Sequence, residues 1–153
     1  MNLYAESSAI LRWLFNEEGG DEILTLLRDA ERVLCSRLSL VECRRVVRRA
    51  SLERRISEAE QQEVLSVLAQ AAARWAVLEI SPRVAERAEA AFPVEPVRTL
   101  DAIHLSSALA LREAVADLVV LSSDDRVRDN AGQLGFAVLP AIGEPPANSP
   151  TKN

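Results

Sequence analysis

Lysine is all but missing from this chain, the single copy being Lys152, next to the last residue. There is one histidine (His104), there are two cysteines, and aromatic residues make up only 4% of the chain. Each scarcity excludes something. Without a histidine pair or a core lysine there is no metal-free acid–base nuclease chemistry, and no receiver-like phosphoacceptor domain, which needs a lysine near its last strands. Cys35 and Cys43 have neither the number nor the spacing of a disulfide framework or a zinc site, and are expected to be small core residues. So few aromatics give little support to a base-stacking surface, and Trp13 and Trp75 are expected in the core or at an interface. No apolar run approaches the ~20 residues of a membrane helix. The chain opens directly on a strand-like segment, so no secretory signal and a cytoplasmic location are expected.

What remains is an ordinary globular composition in 153 residues, 48% hydrophobic and 27% charged with a net charge of -5, enough for one domain with its own core. The charge is unevenly spread. Residues 37 to 55 hold seven arginines against Glu42 and Glu53. Such a stripe is either a phosphate-binding footprint, with Arg44, Arg45 and Arg48 as its RNA-binding candidates, or a solvated face or acidic-partner surface.

Hydrophobic periodicity alternates between strand and helix. Strands are expected at 2–5, 31–35, 76–80, 117–122 and 137–139. The first helix is expected to be capped by Ser7 or Ser8, to bury Ile10, Leu11, Leu14 and Phe15, and to end at Gly19-Gly20. Helices follow over 21–30, over 38–49 with Leu38, Val41 and Val46 inward, and from a capping box at Ser57 to about Arg74. Pro82 opens another, Thr99 caps one to about Arg112, and the last spans 125–134 before Gly135. This pattern predicts an α/β fold, a three-layer α/β/α sandwich around a mostly parallel five-stranded sheet, in a domain over 1–142. Residues 143–153, rich in proline and polar residues, are expected to be a disordered tail.

Four acids stand where a strand-like run gives way to a helix-like one: Glu6, Glu42, Asp101 and Asp124. Along one edge of a parallel sheet such positions converge. Each also has a plainer explanation. Glu42 can close a capping box with Ser39, Asp101 can answer a helix dipole, Asp124 can cap the last helix, and Glu6 can face solvent. As a group they suit Mg²⁺ or Mn²⁺, which prefer oxygen ligands at an open site, and hence phosphodiester hydrolysis.

The segments around these acids resemble the PIN-domain ribonucleases, and within them the VapC-type toxins of bacterial toxin–antitoxin pairs. Tyr4-Ala5-Glu6-Ser7-Ser8-Ala9-Ile10 is similar to the opening Asp-x-Ser-Ala-hydrophobic motif, Ser39 to Arg45 to the central glutamate segment, Arg98 to Leu105 to the third acidic motif, and Leu121 to Val127 to the closing Thr-x-Asp segment. The resemblance implies a Mg²⁺- or Mn²⁺-dependent endoribonuclease with Glu6, Glu42, Asp101 and Asp124 as catalytic acids. Glu6, Asp101 and Asp124 would hold the metal, Ser8 and Ser122 would position them, and Asp125 is the register alternative to Asp124. It also implies an RNA substrate, a small VapB-like antitoxin and a homodimer. One residue departs from the pattern, because Glu6 stands where aspartate is usual. The alternative is therefore a PIN-fold RNA- or protein-binding module with impaired catalysis. His104 lies one turn after Asp101 and is expected to be a satisfied, partly buried residue without a catalytic role.

Overall fold

A computed structural model describes residues 1–141, so the expected tail lies outside the described residues. The elements run β1 (Asn2–Ala5), α1 (Ser7–Leu14), α2 (Gly20–Asp29), β2 (Arg32–Ser36), α3 (Arg37–Leu52), α4 (Glu58–Ala72), β3 (Ala76–Leu78), α5 (Pro82–Glu89), α6 (Thr99–Arg112), β4 (Leu118–Leu121), α7 (Asp125–Gln133) and β5 (Val138–Leu139). All four strand pairings are parallel, in the order β3-β2-β1-β4-β5. The expected α/β/α sandwich is what forms.

Alternation along β1 divides the core into two layers. Leu3 and Ala5 pack with Ile10, Ile23, Cys43 and Leu68 from α1 to α4, while Tyr4 faces the opposite layer with Leu105, Ala108 and Val127 from α6 and α7. Cys35 and Cys43 are buried free thiols, as expected, and burial pushes Cys35 up to about 12 and raises Cys43 as well. Both stay protonated and unreactive. Among the described residues no helix is long and apolar enough to cross a membrane.

Helix ends follow local chemistry, with some differences from expectation. The capping box forms, Ser57 N donating to Glu60 at 2.7 Å and Glu60 N to the Ser57 hydroxyl at 3.1 Å. The first helix stops at Leu14, well before the glycines. Gly19 takes φ 81°, and a Cβ on Gly20 would lie 2.8 Å from the Arg12 carbonyl, so the pair serves the close approach of α2 to α1 instead. On α3, Val41 is 47% exposed and Val47 is buried, because the inward face runs through Leu40, Cys43, Val47 and Ala50 at three- and four-residue spacing, about 100° round the helix from Val41; the helix begins at Arg37 with Ser36 as its cap. That start also removes the Ser39–Glu42 capping box, and the Ser39 hydroxyl donates to the Ala5 carbonyl at 3.2 Å. Thr99 is the first residue of α6 and not its cap.

The sheet order creates a crevice. The chain leaves β1 for β2 on one side and returns to β4 on the other, so loops diverge at the carboxyl ends of β1 and β4, the usual ligand position in an open parallel sheet.

Candidate metal centre

Glu6 follows β1 and continues its ladder by one bond, its amide donating to the Leu121 carbonyl at 3.0 Å. It is 4% exposed, not solvent-facing, and it caps α1 in place of Ser7 or Ser8. Its Oε1 accepts from the Ser7 hydroxyl at 2.6 Å and Ser8 N at 3.1 Å, and its Oε2 from the Ser8 hydroxyl and, at 2.8 Å, the Ser122 hydroxyl. Four donors fill the roughly four lone-pair sites of a carboxylate.

Glu42 comes from the second turn of α3, its side chain 23% exposed. His104 Nε2 lies 2.5 Å from Glu42 Oε2 and 3.6 Å from Glu6 Oε1, and the Ser7 hydroxyl also reaches Glu42 at 3.0 Å. On the far side of the ring, His104 Nδ1 is 3.0 Å from the Tyr4 hydroxyl. Burial first, and then the negative charge of Glu6, raise Tyr4 well above its ordinary value, against the Ser107 and Ser39 hydroxyls. A neutral phenol can donate to Nδ1 or accept from it, so the tautomer of the ring decides which nitrogen carries the proton between Tyr4 and Glu42. The histidine is thus fully buried and satisfied, but its partners belong to the acidic site.

Asp101 and Asp124 make a second group. Asp101 sits in the first turn of α6, one turn before His104, which at ~1.5 Å per residue is about 4.5 Å along the axis. Asp124 caps α7, its Oδ1 accepting from Arg126 N at 2.9 Å and Val127 N at 3.4 Å. Its other oxygen lies 3.2 Å from Arg98 Nη2, and Arg98 Nε donates to Asp101 Oδ2 at 2.9 Å. The Ser122 hydroxyl joins the two groups, donating to Glu6 and accepting from Asp124 N at 3.1 Å. Asp125 is exposed and lines a neighbouring open cleft of about 560 Å³ together with Arg12, Glu22 and Arg128.

Three helix N-termini, those of α1, α6 and α7, meet where Glu6, Asp101 and Asp124 stand. Their dipoles offset part of the cost of gathering carboxylates in a half-buried crevice. The plainer explanations of Asp101 and Asp124 are therefore true as well, because the same carboxylates that answer the helix ends line the crevice.

The profile of the PIN domain family matches residues 3–133. The chain belongs to the PIN domain family. No curated protein matches it by sequence. Its fold is similar to VapBC2 from Rickettsia felis bound to a DNA fragment from their promoter, at 9% identity and TM-score 0.61, covering 91% of this chain and 98% of that one. It is similar to FitAB bound to an IR36 DNA fragment, at 14% identity and TM-score 0.58, covering 91% and 94%. PAE2754 from Pyrobaculum aerophilum is similar at 16% identity and TM-score 0.57, covering 90% and 83%.

In this PIN domain one ligand atom each from Glu6, Glu42 and His104 lies within 4.8 Å of the others, a donor set that fits a divalent ion when the imidazole proton sits on Nδ1 against Tyr4 and frees Nε2. This trio differs from the expected metal set of Glu6, Asp101 and Asp124, since the last two pair with Arg98 one turn away. Ser8 and Ser122 do contact Glu6 as expected, and Ser7 joins them. Sequence reasoning missed Ser7 as a site residue. For His104 the three-residue spacing from Asp101 on one helical face already allows a contact with the site, and the structure places it there as a buried, satisfied side chain.

Proposed function

We propose that this PIN domain is a metal-dependent endoribonuclease and the toxin of a toxin–antitoxin pair. The observation that carries the proposal is the cluster of Glu6, Glu42 and His104 in a PIN fold, linked through the Ser122 hydroxyl to Asp124 and from there through Arg98 to Asp101. Carboxylates with one imidazole suit Mn²⁺ as well as Mg²⁺. Such an ion, when bound, acidifies a water and neutralises charge on the phosphoryl oxygens. The chain's own part is positioning. His104 fixes the rotamer of Glu42, the serine hydroxyls fix Glu6, and the cap bonds of Asp124 leave one of its oxygens turned towards Arg98. Hydrolysis by water leaves a 5′-phosphate and a 3′-hydroxyl. Incubation with single-stranded RNA is expected to give 5′-phosphorylated fragments in Mn²⁺ or Mg²⁺ and none after chelation. Cleavage that persists in excess EDTA would overturn the proposal.

The arginine stripe supplies backbone contacts. Arg37 is engaged with Glu79 and Arg55 with Glu53, but Arg44, Arg45 and Arg48 are exposed and make no ion pair among the described residues. Replacing all three by glutamine is expected to weaken RNA binding and to flatten the slope of log K against log salt by about 2, at ~0.7 per phosphate contact on a single strand. An unchanged slope would assign the stripe to another partner. For an antitoxin, the supporting surface is a groove of about 610 Å³ lined by Trp13, Leu27, Val67 and Trp75, with Arg28 and Arg74 among its other walls. It suits an apolar segment carrying acidic residues.

One observation favours the second reading, a PIN-fold binding module with impaired catalysis. Glu6 has all its acceptor sites taken by four donors, so it can ligate only by releasing a hydroxyl. RNA binding without product in either metal would select that reading.

A further inference from the structure

Arg98 bridges two carboxylates that stand 23 positions apart in the chain. Its Nε and Nη2 lie 2.9 and 3.4 Å from the two oxygens of Asp101, and Nη2 lies 3.2 Å from Asp124 Oδ2. Among the described residues no other cation pairs with either acid. The oxygen of Asp124 that Arg98 takes is the one its helix-capping bonds leave unused. Arg98 therefore sits on the oxygens best placed to face a metal.

Nothing else holds the side chain there. Arg98 is the N-cap residue of α6 but makes no side-chain capping bond, and its side chain is 59% exposed, whereas that of Asp101 is 10% exposed. The buried partner stays fixed while the exposed one can rotate into water. A divalent ion binds carboxylate oxygens at roughly 2.1 Å, closer than a guanidinium approaches them, and the two cations repel. Each oxygen keeps a second lone pair, so the competition between the two is electrostatic.

We propose that Arg98 is an exchangeable internal cation: it neutralises Asp101 and Asp124 in the metal-free protein and is repelled from them into solvent when a divalent ion loads. The inference rests on the reading of this crevice as a metal site. It gives Arg98 a positioning role with two opposed consequences. The arginine stabilises the metal-free fold by holding two like charges together, and by the same contacts it weakens metal binding. Divalent occupancy is then set by competition between them as well as by the carboxylates.

The test is Mn²⁺ titration by calorimetry, with thermal unfolding in metal-free buffer, on the full chain and on Arg98→Gln and Arg98→Lys. Glutamine removes the charge, and lysine keeps it without the fork that spans both acids. Arg98→Gln is expected to melt lower than wild type without metal and to bind Mn²⁺ about three- to tenfold more tightly, the effect of losing one or two solvent-accessible ion pairs. Arg98→Lys is expected between the two. A tightened affinity is a result that mere structural damage does not produce. Wild type that binds Mn²⁺, with glutamine and lysine variants that bind equally or more weakly, would overturn the exchange alone. No Mn²⁺ binding by any of the three proteins would overturn the metal site and the exchange together.

Discussion

Asp101→Asn is expected to lower RNA cleavage in Mn²⁺ or Mg²⁺ by at least about a hundredfold, equivalent to ~2.7 kcal/mol of barrier at 1.36 kcal/mol per decade. The substitution changes one oxygen for an amide nitrogen and keeps the shape of a residue that is 7% exposed. Packing should therefore survive, and the loss can be assigned to charge. Its partner Arg98 is exposed enough to re-solvate, so thermal unfolding should shift by only a few degrees. Asp124→Asn is the companion measurement. Asparagine is as good an N-cap as aspartate, so α7 keeps its start while the oxygen facing Arg98 is replaced by an uncharged amide NH2. Product formation by gel, read beside the melting temperature, checks both variants. Wild-type rates in Asp101→Asn would remove this carboxylate from the chemistry.

The largest stability effect is expected at His104. The ring is 1% exposed and lies between Glu42 at 2.5 Å and Tyr4 at 3.0 Å. Truncation to alanine leaves a cavity beside a buried phenol and a carboxylate, both without their partner. Each unsatisfied group costs ~1–3 kcal/mol, so a total loss of about 3–5 kcal/mol is expected. For a domain of this size that lowers the melting temperature by roughly 6–20 °C. His104→Gln retains an amide that can donate to Glu42 and should recover part of the loss. A cycle with Tyr4→Phe isolates the phenol–imidazole contact, and strict additivity would show that the contact is not made. Because His104 orients Glu42, the glutamine variant should also lose cleavage at temperatures where it remains folded.

Much of the site was legible because the four acids occupy junctions, and junctions are marked by a change of hydrophobic period. Glu6, Glu42 and Asp101 could be named from the strands and helices beside them. Their partners were harder to read. Nothing local in Ser7 or Arg98 says that each will meet a carboxylate 35 or 26 positions away, or in Tyr4 that it will meet a histidine 100 positions away. The substitution of Glu6 for the usual aspartate shows the same limit. As a sequence feature it raised the question of impaired metal binding, and only the contacts of its carboxylate with Ser7, Ser8 and Ser122 show how that carboxylate is held. Val41 failed as a core residue for a related reason, because tertiary packing chose the face of Leu40, Cys43, Val47 and Ala50 and left Val41 outside it.

By itself the sequence determined the element order, the parallel α/β architecture and the edge at which the acids gather, since these follow from local hydrophobic period and from the direction a crossover helix imposes on the next strand. Tertiary structure alone decided how the acids divide, Glu6 and Glu42 around His104, Asp101 and Asp124 around Arg98. Those pairings depend on rotamers and on ångström-scale distances between elements remote in the chain, and no periodicity in the sequence encodes them.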